Sequence, residues 1–380
     1  MSAYKQTVPN FSLKDQLFNE RKIIQLASEI KVVYPEFLID SFVAKVLVSL
    51  PEQELMERIE GIVEQLAEHL PRDYRKALTI ILKALPEPLD LSKTDDDFGD
   101  FIYAPYSHFV ATYGCTEEHL EISLHALQEI TQRFSAEAAV RHFLLAFPEE
   151  TLKDVYRWTQ NKNYHVRRLA SEGTRPNLPW AKKVVIGSEE SLKVLELLYT
   201  DSTRYVTRSV ANHLNDLSKK DTHLVVTTLK RWRAEQKQSA TELAFITKHA
   251  LRTAVKRGDA EALRLLGYDR PQISIKNLQL SSSHIAVGEA LKFSFTITLE
   301  GTKNQVLLID YVIHFRKANG SLSPKVFKIT TRTLKPGESV VVEKSQVLRP
   351  MTTRVLYSGE HKLEIQINGQ SFGQALFQLV

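Results

Sequence analysis

Three short segments of this chain recur at a step of 40 residues: Val166-Arg-Arg168, then Val206-Thr-Arg208, then Lys248 in the same register. Each is followed by a small residue and a helix-compatible run, Leu169-Ala-Ser171, Ser209-Val-Ala211 and His249-Ala-Leu251. In a helical context a period near 40 is the signature of HEAT-like helix pairs. One such pair cannot bury its apolar face alone, so it stacks on the next. Equivalent positions then line one surface of a solenoid. Arg168, Arg208 and Lys248 become a stripe of cations at a near-constant step, which suits a regularly spaced phosphate backbone.

The helical context is legible from the N-terminal side. Leu17, Ile23, Ile24, Ala27 and Ile30, then Phe37 to Leu47, then Leu55, Ile59, Ile62, Val63 and Leu66 recur at intervals of three and four. Pro51 sits at a first-turn position, and Pro86-Glu-Pro88 ends a helix. Tyr103-Ala-Pro-Tyr106 reads as a turn, followed by a helix from about Glu117 to Thr131. The next helix begins near Ser135, a residue type that caps helices, and Pro148 opens another. Trp158 and Trp232 read as core. The short acidic run Asp95, Asp96, Asp97 and Asp100 reads as solvated, because it lacks the alternating ligands and glycine of a calcium loop.

After Pro271 the pattern changes to alternating, β-rich runs separated by Gly288, Gly301, Asn319-Gly320, Pro336-Gly337 and Asn368-Gly369. About seven short strands in roughly 110 residues argue an immunoglobulin-like sandwich. The expected fold is therefore mostly α: a HEAT-like helical-repeat solenoid over residues 1–270, C-shaped, with a β-sandwich over 271–380. The sandwich reads either as an accessory clamp on the same polyanion or as a plain packing module.

Charge is unevenly spread. Residues 1–150 carry 14 Lys and Arg against 25 Asp and Glu, residues 151–270 carry 23 against 13, and residues 271–380 carry 13 against 7. A basic middle and end joined to an acidic start fits a polyanion binder with a directed face. No apolar run approaches a membrane span, and Met1 to Thr7 show no secretory pattern. The lone Cys115 excludes an intramolecular disulfide and a multi-cysteine zinc site, and its acidic neighbourhood gives no thiolate activation. The chain is expected to be cytoplasmic and monomeric, without metal or cofactor.

The densest chemistry lies between Trp158 and Lys183, where six basic side chains and two tryptophans surround a single carboxylate, Glu172. Either Glu172 pairs with Arg168 or Arg175 in an ordinary solvated helix-turn, or the basic groups hold a polyanion while Glu172 faces something cationic. No Gly-rich phosphate loop, His-Glu-x-x-His or nucleophile elbow occurs, and the twelve histidines form no ligand set. Carboxylates and tryptophan inside basic helices suit hydrolysis of the glycosidic bond to a cationic base. Such a base leaves without general-acid help, and a carboxylate can stabilise the sugar cation and position water. A tryptophan face attracts the cation, and arginines hold the phosphates.

Thr131-Gln-Arg-Phe-Ser-Ala-Glu137 with Arg141, and Val166-Arg-Arg-Leu-Ala-Ser-Glu-Gly-Thr-Arg-Pro-Asn-Leu-Pro-Trp180, closely resemble the AlkC branch of the HEAT-like DNA alkylation repair glycosylases. The resemblance spans roughly residues 1–270, and some of those proteins carry a C-terminal immunoglobulin-like domain. It implies a monofunctional glycosylase that removes 3-methyladenine and 3-methylcytosine from duplex DNA, kinking the duplex without a deep base-flipping pocket. By motif, Glu137 and Glu172 match the active-site glutamates, Trp180 the tryptophan beside them, and Arg168 and Arg175 backbone-binding arginines. An aspartate from the following repeat is also implied. Asp216 is the best positioned, with Asn212 one turn before it, and Asp201 and Asp221 are the alternatives. The rival from another class is a non-catalytic HEAT scaffold binding DNA or protein; a remoter one is an RNA-binding repeat protein.

Overall fold

The computed structural model describes residues 12–93, 98–349 and 355–380. The N-terminal reading over Met1 to Thr7 and three of the four acidic-run residues, Asp95, Asp96 and Asp97, lie outside the described residues. About half of the chain is helical, and the rest of its regular structure is one C-terminal pair of sheets. The first helices are α1 (Leu13–Leu17), α2 (Glu20–Val33), α3 (Ile39–Ser49), α4 (Leu55–His69), α5 (Tyr74–Lys83) and α6 (Ala104–Tyr113). Then come α7 (Leu120–Ile130), α8 (Glu137–Ala146), α9 (Pro148–Trp158), α10 (Tyr164–Gly173) and α11 (Ser188–Glu196). The last are α12 (Arg204–Ser218), α13 (Thr222–Glu235), α14 (Ala240–Ala250), α15 (Arg252–Lys256) and α16 (Ala260–Leu265).

The helices form for local reasons that the sequence carries. In α2 the Asn19 side chain accepts from Lys22 N at 3.2 Å, and Ile23, Leu26, Ala27 and Ile30 make one buried face. Asp73, Asn163, Asp221 and Asp259 cap α5, α10, α13 and α16 in the same way. The 40-residue step is real in the backbone: α10 begins at Tyr164 and α12 at Arg204, so Arg168 and Arg208 occupy the same helical position. α14 begins four residues early, at Ala240, yet Val166, Val206 and Ile246 keep the step and are all buried.

Two local expectations need correcting. Tyr103-Ala-Pro-Tyr106 is not a turn: Phe101–Tyr103 forms a single 3-10 turn that runs straight into α6, with Pro105 in its first turn. Proline reads as a breaker, but in a first turn its missing N–H is not needed. Ser135 does not cap α8, whose N-cap is Ala136; its hydroxyl donates to Glu137 instead.

The chain divides into two compact units, one of Met1–Asp216 with Lys237–Glu242, the other of Leu217–Gln236 with Leu243–Val380. The second contains the strands β1 (Ile273–Leu280), β2 (His284–Ile285), β3 (Ala290–Leu299), β4 (Gln305–Arg316), β5 (Leu322–Leu334), β6 (Ser339–Val347), β7 (Gly359–Ile367) and β8 (Gln370–Leu379). They form a three-stranded sheet, β1-β3-β6, and a five-stranded sheet, β2-β8-β7-β4-β5, antiparallel throughout except for the β2–β8 pair. Alternate residues of β3 (Leu291 to Leu299), β4 (Leu307 to Phe315) and β7 (Leu363 to Ile367) meet between the sheets. Beyond the seven expected strands there is the two-residue β2. β5 is longer than expected and lies at a sheet edge, where Pro324 costs no ladder bond. The Asn368 side chain donates to Asp269 O at 2.7 Å and accepts from Leu308 N at 2.6 Å, tying the segment before β1 to this sheet. A Cβ on Gly258 would lie 2.6 Å from Gly369 O, so the turn after α15 and the β7–β8 turn touch through bare backbone.

Candidate functional site

Side chains from α8, α10, α12 and the loop after α10 meet around one cavity of about 280 Å³. Glu137 is the first residue of α8, where the helix dipole favours a carboxylate. Arg168 and Glu172 lie one turn apart on α10 and share a face. Tyr205, Ser209, Asn212 and Asp216 follow each other at steps of four, three and four along α12, which puts them in one row. All but Asp216 line the cavity, together with Phe98, Arg175, Trp180 and Arg208.

The carboxylates are held by a connected network. Arg168 Nη1 donates to Glu137 Oε2 and to Ser135 Oγ, each at 2.7 Å, and its Nη2 lies 4.0 Å from Glu172 Oε1. Arg175 Nη1 donates to Glu172 Oε1, while its Nε donates to Asp216 Oδ2 at 2.9 Å. Ser209 Oγ donates to Glu172 Oε2 at 2.6 Å and lies 2.9 Å from Ser171 Oγ. Glu172 is only 4% exposed. Burial alone would raise its carboxyl, but the Arg168 and Arg175 guanidiniums beside it, with the Ser209 hydroxyl, overcome that and hold it below the ordinary 4.5. Burial works against the charge of Arg175 as well; Glu172 and Asp216 outweigh it and raise the guanidinium above its usual range. Glu137 keeps about a quarter of its side chain exposed, and its Oε1 has no partner among the described residues. His213 Nδ1 lies 3.2 Å from Ser171 O. Burial, and then Arg175, push its imidazole down to about 4, so it is neutral at pH 7.

The loop from Thr174 to Lys182 carries Trp180, and Arg141 of α8 fastens both of its ends. Arg141 Nη1 donates to Gly173 O at 3.0 Å and Arg175 O at 2.8 Å, and its Nε donates to Lys182 O. Gly173 is required here, because a Cβ would meet Val140 Cγ1 at 2.5 Å. Trp180 itself is 89% exposed, on a backbone with φ +56°. A bulky residue in left-handed geometry is strained, and such strain collects at functional sites. The indole also borders an apolar cleft of about 560 Å³ beside Met56, Phe101 and Phe134, and a third cavity of about 440 Å³ beside His108 and His142.

The structure thus brings together Glu137, Glu172, Trp180, Arg168, Arg175 and Arg208 on one cavity, with Asp216 behind Arg175. Asp201 instead pairs with Arg167 at 2.5 Å, and Asp221 caps α13. The expected stripe is not uniform. Arg168 and Arg175 are buried with their guanidiniums committed to carboxylates, Arg208 is half-buried, and Lys248 is exposed on α14 in the second unit. Ion pairing with nearby acids draws the first two guanidiniums into the acid network. Sequence reasoning missed Ser135, Tyr205 and Ser209. The row Tyr205, Ser209, Asn212, Asp216 is visible in the helical spacing once α12 is drawn. Among the described residues, no three His, Cys, Asp or Glu side chains are grouped as a metal would need, and no helix is long and apolar enough to cross a membrane.

A family model described as "DNA alkylation repair enzyme" matches residues 115–256. Another, described as "Uncharacterised protein YhaZ, C-terminal Ig-like domain", matches residues 274–380. A Bacillus subtilis relative, "Uncharacterized protein YhaZ", is 37% identical over 369 residues, covering 96% of this chain and 98% of that protein. Among solved structures, "Pseudomonas fluorescens alkylpurine DNA glycosylase AlkC bound to DNA containing an abasic site analog" is similar with a TM-score of 0.87 and 34% identity. The match covers 97% of this chain and all 100% of that one. Family models, relative and structure agree over both the helical and the sandwich regions: this chain belongs to the AlkC-type DNA alkylation repair family, HEAT-like helical repeats followed by an immunoglobulin-like domain.

Proposed function

We propose that this protein is a monofunctional DNA glycosylase that hydrolyses the N-glycosidic bond of cationic alkylated bases, 3-methyladenine and 3-methylcytosine, in duplex DNA. One observation carries the reading: Glu137 and Glu172, both tied to Arg168, border one cavity beside an exposed Trp180. A 3-alkylated base already bears positive charge, so it departs with the bonding pair and needs no proton. The sugar left behind is oxocarbenium-like, and a carboxylate at its face lowers the barrier. Water then adds at C1′ and gives its proton to a carboxylate. Glu172, kept ionised by its arginines, suits the electrostatic task, and Glu137, with one oxygen unpartnered, suits the alignment of water. Asp216 acts through Arg175, on which it pulls from behind. Trp180 borders the lesion.

Arg168 and Arg175 hold the acids in this reading, and Arg208 at the cavity and the exposed Lys248 are the cations assigned to phosphates. The catalytic module is residues 1–270 and the sandwich residues 271–380, acting as a monomer in the cytoplasm on damaged double-stranded DNA. The similarity to a DNA-bound alkylpurine glycosylase supports the DNA partner and the reaction class.

One observation favours the rival reading, a helical-repeat scaffold without catalysis: both Glu172 oxygens are occupied by protein partners. Release of free 3-methyladenine from methylated duplex by the unaltered protein separates the two, and Glu172→Gln tests the carboxylate. Single-turnover release of 3-methyladenine from methylated duplex is expected to fall about 10²–10³-fold, as when one preorganised electrostatic group is lost. Affinity for duplex with an abasic-site analogue is expected to stay within about twofold. No release by the unaltered protein sinks the enzyme reading and leaves the scaffold, whereas release unchanged by Glu172→Gln removes Glu172 from the mechanism.

A further inference from the structure

Among the described residues Arg168 is the one cation paired with both glutamates, and aromatic rings as well as acids surround it. Its guanidinium carbon lies 4.5 Å from the centroid of the Tyr205 ring and 5.7 Å from that of Phe98. The two rings meet edge to face, with centroids 5.6 Å apart and planes at 82°. Tyr205 is itself braced by Tyr164, edge to face at 6.0 Å, and by His165 at 5.6 Å. Both Tyr205 and Phe98 line the acid cavity. The Tyr205 ring is buried, and its hydroxyl has no hydrogen-bond partner among the described residues.

We infer that Tyr205 is a positioning residue for the proposed base release: its ring face, with Phe98 as a second wall, sets the Arg168 guanidinium at the point where it reaches Glu137 and Glu172 together. A guanidinium is planar and stacks on an aromatic face, an attraction that is largest where water is excluded. A long, flexible side chain between two acids otherwise divides its time between them. The ring removes that freedom, so Glu137 Oε2 is met at 2.7 Å while Glu172 Oε1 remains within 4.0 Å. The ring does the work and the hydroxyl does not, because the hydroxyl touches neither acid nor Arg168 in any hydrogen bond. This rests on the reading of Glu172 as the acting carboxylate.

The test compares Tyr205→Leu, Tyr205→Phe and Glu172→Gln in single-turnover release of 3-methyladenine from methylated duplex across pH, alongside affinity for abasic-analogue duplex. Losing a desolvated cation–π contact is expected to slow release by Tyr205→Leu about tenfold to thirtyfold. With Arg168 loosened, Glu172 loses part of the field that keeps it ionised. The acid limb of the profile therefore moves to higher pH, and the loss is greatest at the acid end. Tyr205→Phe keeps the ring and is expected to restore both the rate and the limb. DNA affinity is expected to stay within about twofold for all three variants. A Tyr205→Phe as slow as Tyr205→Leu overturns the inference, since the hydroxyl is then what matters. So does a Tyr205→Leu that is slower at every pH with an unmoved limb, which is the mark of a merely structural role. Should Tyr205→Leu fail to fold, Phe98→Leu takes its place, with a smaller rise in the same limb expected and an unmoved limb decisive against. If Glu172→Gln releases base normally, Glu172 is not the acting carboxylate and the clamp fails with it; if the unaltered protein releases none, the functional reading itself fails. If Glu172→Gln is inactive and Tyr205→Leu matches the wild type, only the clamp is lost.

Discussion

In the sandwich the side chains that meet between the sheets are apolar and alternate along β3, β4 and β7. Among the described residues of that second unit, the one buried Asp, Glu, Lys or Arg is Asp310. The first unit is built differently between α8 and α12: Arg141, Arg168, Glu172, Arg175 and Asp216 are all buried there. Apolar burial is the cheaper route to a stable core, because each ion taken from water costs several kcal/mol before any partner repays it. A chain that uses that cheaper route at one end and crowds five formal charges at the other is not choosing charges for stability. With Arg168, Glu172 and Arg175 at a cavity wall and Asp216 behind Arg175, they are arranged as an electrostatic task requires.

The contrast can be broken at its strongest point first. Arg175→Met leaves Glu172 and Asp216 buried without their shared cation, and unfolding free energy is expected to fall by about 3–5 kcal/mol, read by denaturant titration. A loss below ~1 kcal/mol means that the network is far wetter than its burial indicates. Asp310→Asn is the opposite case. Burial pushes the Asp310 carboxyl up to about 6, and its Oδ1 has no partner. The folded state thus binds the proton more tightly than the unfolded chain, so stability is present at low pH and lost as pH rises from about 3.8 through about 6. Asparagine removes that loss, and a gain of about 1–2 kcal/mol at pH 7.5, absent at pH 4, is expected. A gain of the same size at both pH values shows that the charge is not the cause. The smallest effect belongs to Trp180→Gly. Glycine accepts the left-handed backbone, and the exposed indole packs on little, so stability is expected to rise by ~1 kcal/mol or less while base release drops. A destabilisation beyond ~2 kcal/mol, seen as a lower Tm, argues that the indole is part of the core.

Much of the fold was legible because repeats and alternation are written in residue type. The spacing of Arg168, Arg208 and Lys248 marked the helical step, and the alternation from Leu291 to Leu299 marked a strand with one inward face. α6 was missed since Tyr-Ala-Pro-Tyr carries turn chemistry whether the proline breaks a helix or begins one. The site was legible as an inventory but not as a circuit. Composition shows that Arg168 and Arg175 stand near Glu172; it cannot show whether a guanidinium faces an acid or a ligand, which depends on how α8, α10 and α12 meet. Asp216 was the best positioned of three aspartates by motif, with Asp201 and Asp221 as alternatives; spacing cannot show that Asp216 pairs with Arg175 while Asp201 pairs with Arg167 and Asp221 caps α13. Nor does a tryptophan after a proline announce that it will stand in solvent.

The Arg141 tether has a consequence for which side must yield on contact. With both ends of the Trp180 loop bolted to α8, the loop's backbone is anchored and is not a hinged flap. On the proposed reading the duplex does the deforming, and the effort falls on the stacking steps beside the lesion. Flexible pyrimidine–purine neighbours then make a damaged site easier to engage than a stiff A-tract does, so flanking sequence sets turnover at positions that no side chain reads.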